Sequence, residues 1–292
     1  MFFKKKKQPP TLDSLIKSLL KNEISVTLGK AGRSTAPDAS KLGGKPCIPK
    51  DFEWPCFEGS TYDGETANRP LSFLCQINLS DVSALDTDNL LPKTGLLCFF
   101  YEMESMCWGF DPADEGCARV YYFENLQDLT PTDLPETLSE EYVVKEYPLC
   151  FKSGKSAPSW EELDCHVGVP DDADWDAYDE ALEDMGMALD AERSKLLGYA
   201  DLIQGEMLTE CERCRRGLYC GDHASYVNTP QEVKDDIQKH AADWQLLFQL
   251  ASITQDDCEL MWGDCGNLYF YITKEDLAAR RFDRVWLALQ CG

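Results

Sequence analysis

Three cysteines and a histidine lie close together in one short stretch of the chain, CERCRRGLYCGDH. The stretch reads CxxC followed by CxxH, and thiolate and imidazole are the ligands that zinc prefers in tetrahedral sites. If a helix carries the first pair on one face, a turn at Gly217 would return the second pair toward that face. The candidate zinc ligands are Cys211, Cys214, Cys220 and His223.

Two other interpretations of these thiols stay open. Arg213, Arg215 and Arg216 are close in sequence and would favour thiolates, which suits a redox-sensitive pair. The chain also has 14 cysteines, so a local cluster can arise by chance and pack as small apolar side chains. We therefore expect no cofactor, with zinc as the one exception that the pattern allows.

A second candidate site rests on two short motifs that combine tryptophan, glycine and aspartate. Residues 106–111 read MCWGFD and residues 261–266 read MWGDCG, each before a strand-like run. A structural role suffices, because Trp buries a large surface, Gly permits a sharp turn and Asp can bind the turn's amides. The alternative is a cleft that binds a ligand or catalyses a reaction. Its lining would be Trp108, Asp111, Arg119, Trp262 and Asp264.

The composition argues against several classes of function. The chain has 52 acidic and 28 basic residues, a formal charge of −24, which repels phosphate backbones and anionic lipid. No apolar run reaches the roughly 18 residues of a membrane span. There is no GxSxG elbow, phosphate loop or dinucleotide fingerprint. We expect a protein partner, preferably a basic one, and no nucleic-acid or membrane partner.

The start of the sequence predicts a cytoplasmic protein. Four lysines at residues 4–7 form a basic arm, but Gln8, Pro9 and Pro10 follow in place of the apolar core of a signal peptide. In a reducing compartment the cysteines would be free thiols.

Runs of β-branched and aromatic residues predict a mainly β or α+β protein. Thr11 is a plausible N-cap for a short amphipathic helix, and further helices are expected in the acidic segment 160–194 and over residues 230–244. The predicted strands span residues 71–79, 95–101, 119–123, 244–250, 266–272 and 283–289.

The two WG motifs suggest an internal repeat. Each is preceded by a strand-like run with a glutamine in apolar company, Gln76 in the first copy and Gln249 in the second. The repeat predicts two related β-rich halves, residues 30–150 and 195–292, joined by the acidic helical segment. Residues 1–29 are expected to form the basic arm and the first helix.

Several phrases of the sequence are distinctive when taken together. They are LGGKPCIPKDFEWP, PLSFLCQINL, LPKTGLLCFF, WGFDP with ARVYY, LLGYADLIQGEM, MWGDCGNLYFYI and RFDRVWLALQCG. This set resembles the YwqG-like family, also called the DUF1963 domain, from about residue 40 to the C-terminus. The resemblance implies a single domain over residues 30–292 with an antiparallel, roll-like β fold and peripheral helices. The resemblance implies no established enzyme activity.

The resemblance also bears on the thiols and on function. Glu210-Cys211 and the stretch GLYCGD at 217–222 look like the family's usual sequence, whereas Cys214 and His223 look like additions. Cys211 and Cys220 are therefore the pair expected to lie close together. Some members are associated with bacterial toxin–immunity gene neighbourhoods. We expect a protein-binding module that acts as an adaptor or in the manner of a toxin-immunity protein. The alternatives are a ligand-binding protein or enzyme with a cleft between the halves, and a structural zinc protein.

Overall fold

The computed structural model describes residues 11–30, 36–167, 174–255 and 258–292. The predicted basic arm at residues 4–7 lies outside the described residues. The strands are β1 (Lys21–Leu28), β2 (Lys41–Leu42), β3 (Cys47–Pro49), β4 (Cys56–Ser60), β5 (Thr66–Pro70), β6 (Ser72–Asn78), β7 (Leu96–Tyr101), β8 (Ala118–Phe123), β9 (Leu129–Pro131), β10 (Tyr147–Ser156), β11 (Ser194–Leu197), β12 (Trp244–Ala251), β13 (Ile253–Gln255), β14 (Cys258–Leu260), β15 (Asn267–Thr273) and β16 (Trp286–Gln290).

The helices are short. They are α1 (Leu12–Leu19), α2 (Leu79–Val82), α3 (Trp160–His166), α4 (Trp175–Asp184), α5 (Leu208–Arg215), α6 (His223–Asn228), α7 (Gln231–Ala241) and α8 (Lys274–Ala278). Thr11 caps α1 as predicted, because its side chain accepts a hydrogen bond from Ser14 N. The longest helix in the described ranges, α7, has 11 residues, too few to cross a bilayer.

One ten-stranded sheet dominates the fold, in the order β16-β15-β12-β11-β1-β10-β2-β6-β7-β8. All of its neighbouring strands pair antiparallel. The predicted mainly β fold with peripheral helices is confirmed. The remaining strands form the two-stranded pairs β3–β9, β4–β5 and β13–β14.

The centre of the sheet is the pair β1–β10, and β1 was not predicted from the sequence pattern. Its sequence KNEISVTL begins with polar residues, yet Asn22 and Glu23 are buried. Asn22 is satisfied there, because its Nδ2 donates to Gly154 O at 3.1 Å. The sheet therefore includes residues 21–28, which the predicted division assigns to a segment outside the two halves.

Two nearly identical segments flank the central pair and relate the two sides of the sheet. Residues 40–44 read SKLGG and residues 194–198 read SKLLG. In β2, Lys41 pairs in register with Gln76 of β6, and in β11, Lys195 pairs with Gln249 of β12. The strands β10, β2, β6, β7 and β8, which we call the Gln76 half, thus correspond in order to β1, β11, β12, β15 and β16, the Gln249 half.

The pairing registers also locate a local two-fold axis. Leu42 pairs with Tyr147 of β10, and Leu196 pairs with Ile24 of β1. Ile24 of β1 therefore corresponds to Tyr147 of β10, and, three residues on, Thr27 corresponds to Cys150. Thr27 and Cys150 also pair with each other across the two strands. The local two-fold axis therefore passes between β1 and β10 at Thr27 and Cys150.

The two glutamines make the same buried hydrogen bonds in the two halves. Each is fully buried, its Oε1 accepts from a backbone N–H and its Nε2 donates to a backbone carbonyl. The partners are Cys47 N and Ala39 O for Gln76, at 2.9 and 2.8 Å, and Asp201 N and Arg193 O for Gln249, at 2.9 and 2.7 Å.

The repeat differs from the one expected from the WG motifs. Leu79 N donates to Gly95 O, and Ser252 N donates to Gly266 O, so Gly266 corresponds to Gly95. The WG motifs would instead align the loop before β8 with the loop before β15. The first WG motif lies between β7 and β8 and the second between β14 and β15, and these are different connections of the repeat.

The sheet curves so that its two halves face each other across an apolar core. Phe99 of β7 lies 4.8 Å from Phe248 of β12 and 5.2 Å from Phe270 of β15, between ring centroids. The outer faces have different covers. The Gln76 half is covered by the segment that carries Phe52 and Trp54, and the Gln249 half is covered by α5 and α7.

Candidate functional site

The two WG motifs meet at the end of the last strand. Leu289 N donates to Trp108 O, and Gly292 N donates to Asp264 O, each at 2.9 Å. These backbone bonds hold the two loops on either side of the C-terminal end of β16. The motifs therefore come together, as the cleft hypothesis requires, but through their main chains.

The side chains of the predicted cleft do not converge on a common space. Trp262 is fully buried, Trp108 is half-buried in the core, and Asp264 is exposed. Asp111 caps its own turn by accepting a hydrogen bond from Ala113 N at 2.9 Å. In the described ranges, no ion pair or hydrogen bond joins Arg119 to either aspartate. The structure favours a structural role for these loops.

A cavity of about 370 Å³ lies instead between the two halves, next to the local two-fold axis. The predicted cleft residues do not line it, although Met261 and Cys265 beside the second WG motif do. Its apolar wall draws on the central strands and on both halves. The main apolar residues are Val26, Leu28, Leu42, Cys75, Phe248 and Leu250.

The polar groups of the cavity lie toward its opening. Glu192 and Thr254 are exposed there, whereas Leu42 and Cys75 are almost fully buried. Ser252 is already engaged, because its hydroxyl donates to Gly266 O at 2.8 Å. Burial raises the pKa of the Cys75 thiol far above its usual value, so that this thiol stays protonated and behaves as an apolar group.

A difference between the halves contributes to the space. Cys75 pairs in register with Phe99, and Phe248 pairs with Phe270, so Cys75 and Phe248 occupy corresponding positions. The thiol fills much less volume than the ring, and both line the cavity. The sequence contains this signal, since Cys75 lies one residue before Gln76 and Phe248 one residue before Gln249.

The thiol cluster is assembled only in part. Cys211, Cys214 and Cys220 are buried, whereas His223, the first residue of α6, is exposed. The two sulfurs in contact are those of Cys214 and Cys220, at 3.6 Å. The close pair is thus Cys214–Cys220, where the family resemblance led us to expect Cys211–Cys220.

The local backbone explains why Cys220 returns to the helix. Gly217 has φ +80°. It donates to Cys214 O, while Leu218 N donates to Arg213 O, which is the Schellman ending of a helix. Cys220 N then donates to Phe110 O at 2.8 Å. The described ranges hold no group of three or more His, Cys, Asp or Glu side chains placed to bind a metal. The four predicted ligands do not converge, and zinc stays a prediction.

The family model for DUF1963, a domain of unknown function, matches residues 40–291. The chain belongs to the DUF1963 family. No curated protein matches it. The matched region begins at Ser40, the first residue of the SKLGG segment, and includes every strand of the sheet except β1. Membership of this family agrees with the fold and does not assign a function.

Proposed function

We propose that this protein binds a small, mostly apolar and uncharged molecule in the cavity between its two halves. The observation that carries the proposal is the cavity of about 370 Å³, with an apolar wall and polar groups at its opening. Ligand sites in proteins are commonly concave, mostly apolar and about 300–1,000 Å³ in volume. The site is a version of the predicted cleft between the halves, built from other residues.

The apolar wall supplies the affinity. Leu42, Cys75 and Phe248 are almost fully buried and face the cavity. A ligand that fills it gains about 0.8 kcal/mol for each CH₂ group that leaves water. Because the wall is built from strands of one continuous sheet, little ordering is required on binding.

The charge of the protein selects against anions. The chain carries a formal charge of −24, and Glu192 stands at the cavity opening. Such a field lowers the local concentration of anionic ligands. Thr254 and Gln255 at the opening can hydrogen-bond to a neutral polar group at the outer end of the ligand. An uncharged molecule with one polar end fits both features.

A neutral fluorescent probe tests the proposal. Nile red should bind the purified full chain with a blue-shifted, brighter emission, and 1-octanol should displace it. In the variant Leu28→Trp, the larger side chain fills part of the cavity, and we expect the affinity for Nile red to fall by about tenfold or more, a loss of about 1.4 kcal/mol.

The matched control is Ser25→Trp, which places the same side chain on the same strand. Ser25 does not line the cavity. The control should keep its affinity within about twofold of the original chain, a difference of less than 0.5 kcal/mol. Equal loss in both variants, or no binding by the original chain, would contradict the proposal.

A protein-binding role stays a prediction, as do a basic partner and a cytoplasmic location. Its support is the formal charge of −24, which favours attraction to a basic surface. A complex retained at low salt and released at high salt would favour this role, because screening weakens attraction between exposed charges.

A further inference from the structure

The Cys214–Cys220 pair lies beside a buried arginine. Arg213 is buried, and its guanidinium lies 3.9 Å from the ring centroid of Tyr226. Its Nη2 donates to Ser225 Oγ at 3.0 Å. The same Nη2 lies 3.4 Å from Tyr219 O, the carbonyl of the residue before Cys220. A buried cation therefore lies beside the Cys214–Cys220 pair.

The contact between the two sulfurs is unequal, because Cys214 donates the hydrogen bond and Cys220 accepts it. The pKa of Cys220 is lowered to about 6, first by the hydrogen bond from Cys214 and then by Tyr226 and Arg213, against the opposing effect of burial. The pKa of Cys214 is raised because it donates that hydrogen bond and is buried. The Cys220 sulfur also lies 3.6 Å from Leu218 O and 3.9 Å from Glu210 O.

Acidic groups near the pair oppose this arrangement only in part. Burial, and then the charge of Cys220, raise the pKa of Glu210 to about 7, so Glu210 is partly neutral when Cys220 is ionised. Glu206 raises the pKa of both Glu210 and Cys211, and the Cys211 thiol stays protonated because it is fully buried.

A second thiol pair in the molecule shows the opposite electrostatics. Its members are Cys107 and Cys117, and the neighbouring Cys107 together with burial raises the pKa of Cys117. The nearby charged groups are Asp114 and Glu102, which raise it further. Acidic groups, and no arginine, are the charged side chains that act on Cys117, so Cys107 and Cys117 are an internal control.

We propose that Cys214 and Cys220 form a dithiol that hydrogen peroxide oxidises to a disulfide, with Cys220 as the nucleophile. The geometry that supports this is the 3.6 Å contact between the sulfurs beside the buried guanidinium of Arg213. Cys220 is 9% exposed, which favours a small oxidant over a bulky disulfide. The proposal does not depend on the ligand of the cavity.

The reaction proceeds in two balanced steps. The Cys220 thiolate attacks one peroxide oxygen, the S–O bond forms, the O–O bond breaks, and the hydroxide that leaves takes a proton from solvent to become water. The sulfur loses two electrons to the peroxide. The Cys214 thiol then gives up its proton and attacks the Cys220 sulfur. The S–S bond forms, the S–O bond breaks, and the hydroxyl leaves as water with that proton.

Peptide mapping of the full chain tests the pairing. The reduced protein is treated with a stoichiometric amount of hydrogen peroxide, quenched in acid, alkylated and digested with trypsin. Cleavage after Arg213, Arg215 and Arg216 places the three thiols on separate peptides, residues 196–213, 214–215 and 217–234. We expect residues 214–215 joined to residues 217–234, while Cys107 and Cys117 remain alkylated thiols.

Single serine variants separate the roles. Cys220→Ser should abolish the linked peptide, and Cys214→Ser should leave a sulfenic acid at Cys220 that dimedone traps. Cys211→Ser, which removes a buried neighbour of the pair, should retain the link. A Cys211–Cys220 link, an unreacted Cys220 beside oxidised Cys150 or Cys265, or one zinc ion per chain that shields the thiols would overturn the proposal.

Discussion

The two halves of the sheet share their strand order, their registers and their buried glutamine bonds, but they bury different side chains at corresponding positions. Gln76 bonds to the backbone of Ala39 and Cys47, where Gln249 bonds to that of Arg193 and Asp201. The Gln249 half thus carries an arginine and an aspartate at positions where the Gln76 half has small uncharged residues.

These substitutions change the surroundings of the two corresponding lysines. Lys41 pairs with Glu146, whose side chain is 40% exposed. Lys195 is completely buried, with its Nζ 2.7 Å from Asp201 Oδ2 and 3.3 Å from Glu23 Oε2. Arg193 contacts the same two carboxylates. One backbone arrangement therefore supports a partly solvated ion pair in one half and a closed ionic cluster in the other.

The comparison shows that the repeated frame fixes backbone pairing and leaves the side chains free to diverge. The covers diverge too, because α5, with its thiols, lies over the Gln249 half, and an aromatic loop segment lies over the Gln76 half. The proposed cavity lies where the halves meet. The proposed dithiol depends on a cover that only one half has.

The largest difference should follow from removing each lysine. Lys195→Met leaves Glu23 and Asp201 buried with only Arg193 to balance them, which should cost about 3–5 kcal/mol of unfolding free energy. Lys41→Met should cost about 1 kcal/mol, since Glu146 keeps access to water. Urea unfolding at pH 7, followed by circular dichroism, measures both.

A compensating variant sharpens this test. Adding Asp201→Cys to Lys195→Met copies the residue at the corresponding position of the other half and leaves Glu23 paired with Arg193. Part of the lost stability should return, because one unpaired buried charge is removed. Equal costs for the two lysines would show that the closed ionic cluster is no more sensitive than the exposed pair.

The sequence predicts the outer strands of the sheet better than its central strands. Runs such as LSFLCQINL and GNLYFYI are rich in β-branched and aromatic residues, and they form β6 and β15. The strand β1 was missed because its Asn22 and Glu23 are polar, and only the tertiary structure supplies their partners, Gly154 and Lys195. Local patterns do not report such distant pairing.

The sites were predicted less well, for a related reason. The repeated SKL segments are visible in the sequence, and they would have aligned Cys75 with Phe248 at the cavity. The WG motifs are more conspicuous, but Trp262 packs in the core and Asp111 caps its own turn. The family resemblance marks Cys214 as an addition, yet it is the thiol in contact with Cys220. The turn at Gly217 determines which thiol contacts Cys220. The spacing of the cysteines in the sequence does not predict the geometry of that turn.

An intermediate and nearly equal effect should follow from removing each glutamine. Gln76→Leu and Gln249→Leu each leave a buried backbone N–H and a carbonyl without their partner, at a cost of about 1–3 kcal/mol. Gln127→Leu, at an exposed position, is the control and should stay within about 0.5 kcal/mol. Thermal and urea unfolding of the three variants measure the differences. A cost in only one half would show that the shared bonds do not carry equal weight.

The smallest effects should come from the aspartates of the WG loops, which separate a binding role from a structural one. Asp111→Ala removes the cap on Ala113 N and should cost about 1 kcal/mol, whereas Asp264→Ala at an exposed position should change stability by less than about 0.5 kcal/mol. Both variants should bind Nile red as the original chain does, because neither residue lines the cavity. A loss of probe binding in either variant, with stability unchanged, would return the ligand site to the WG loops and contradict the cavity between the halves. A loss of stability in Asp111→Ala alone, with binding retained, would instead identify the aspartate as part of the turn that holds its loop against β16.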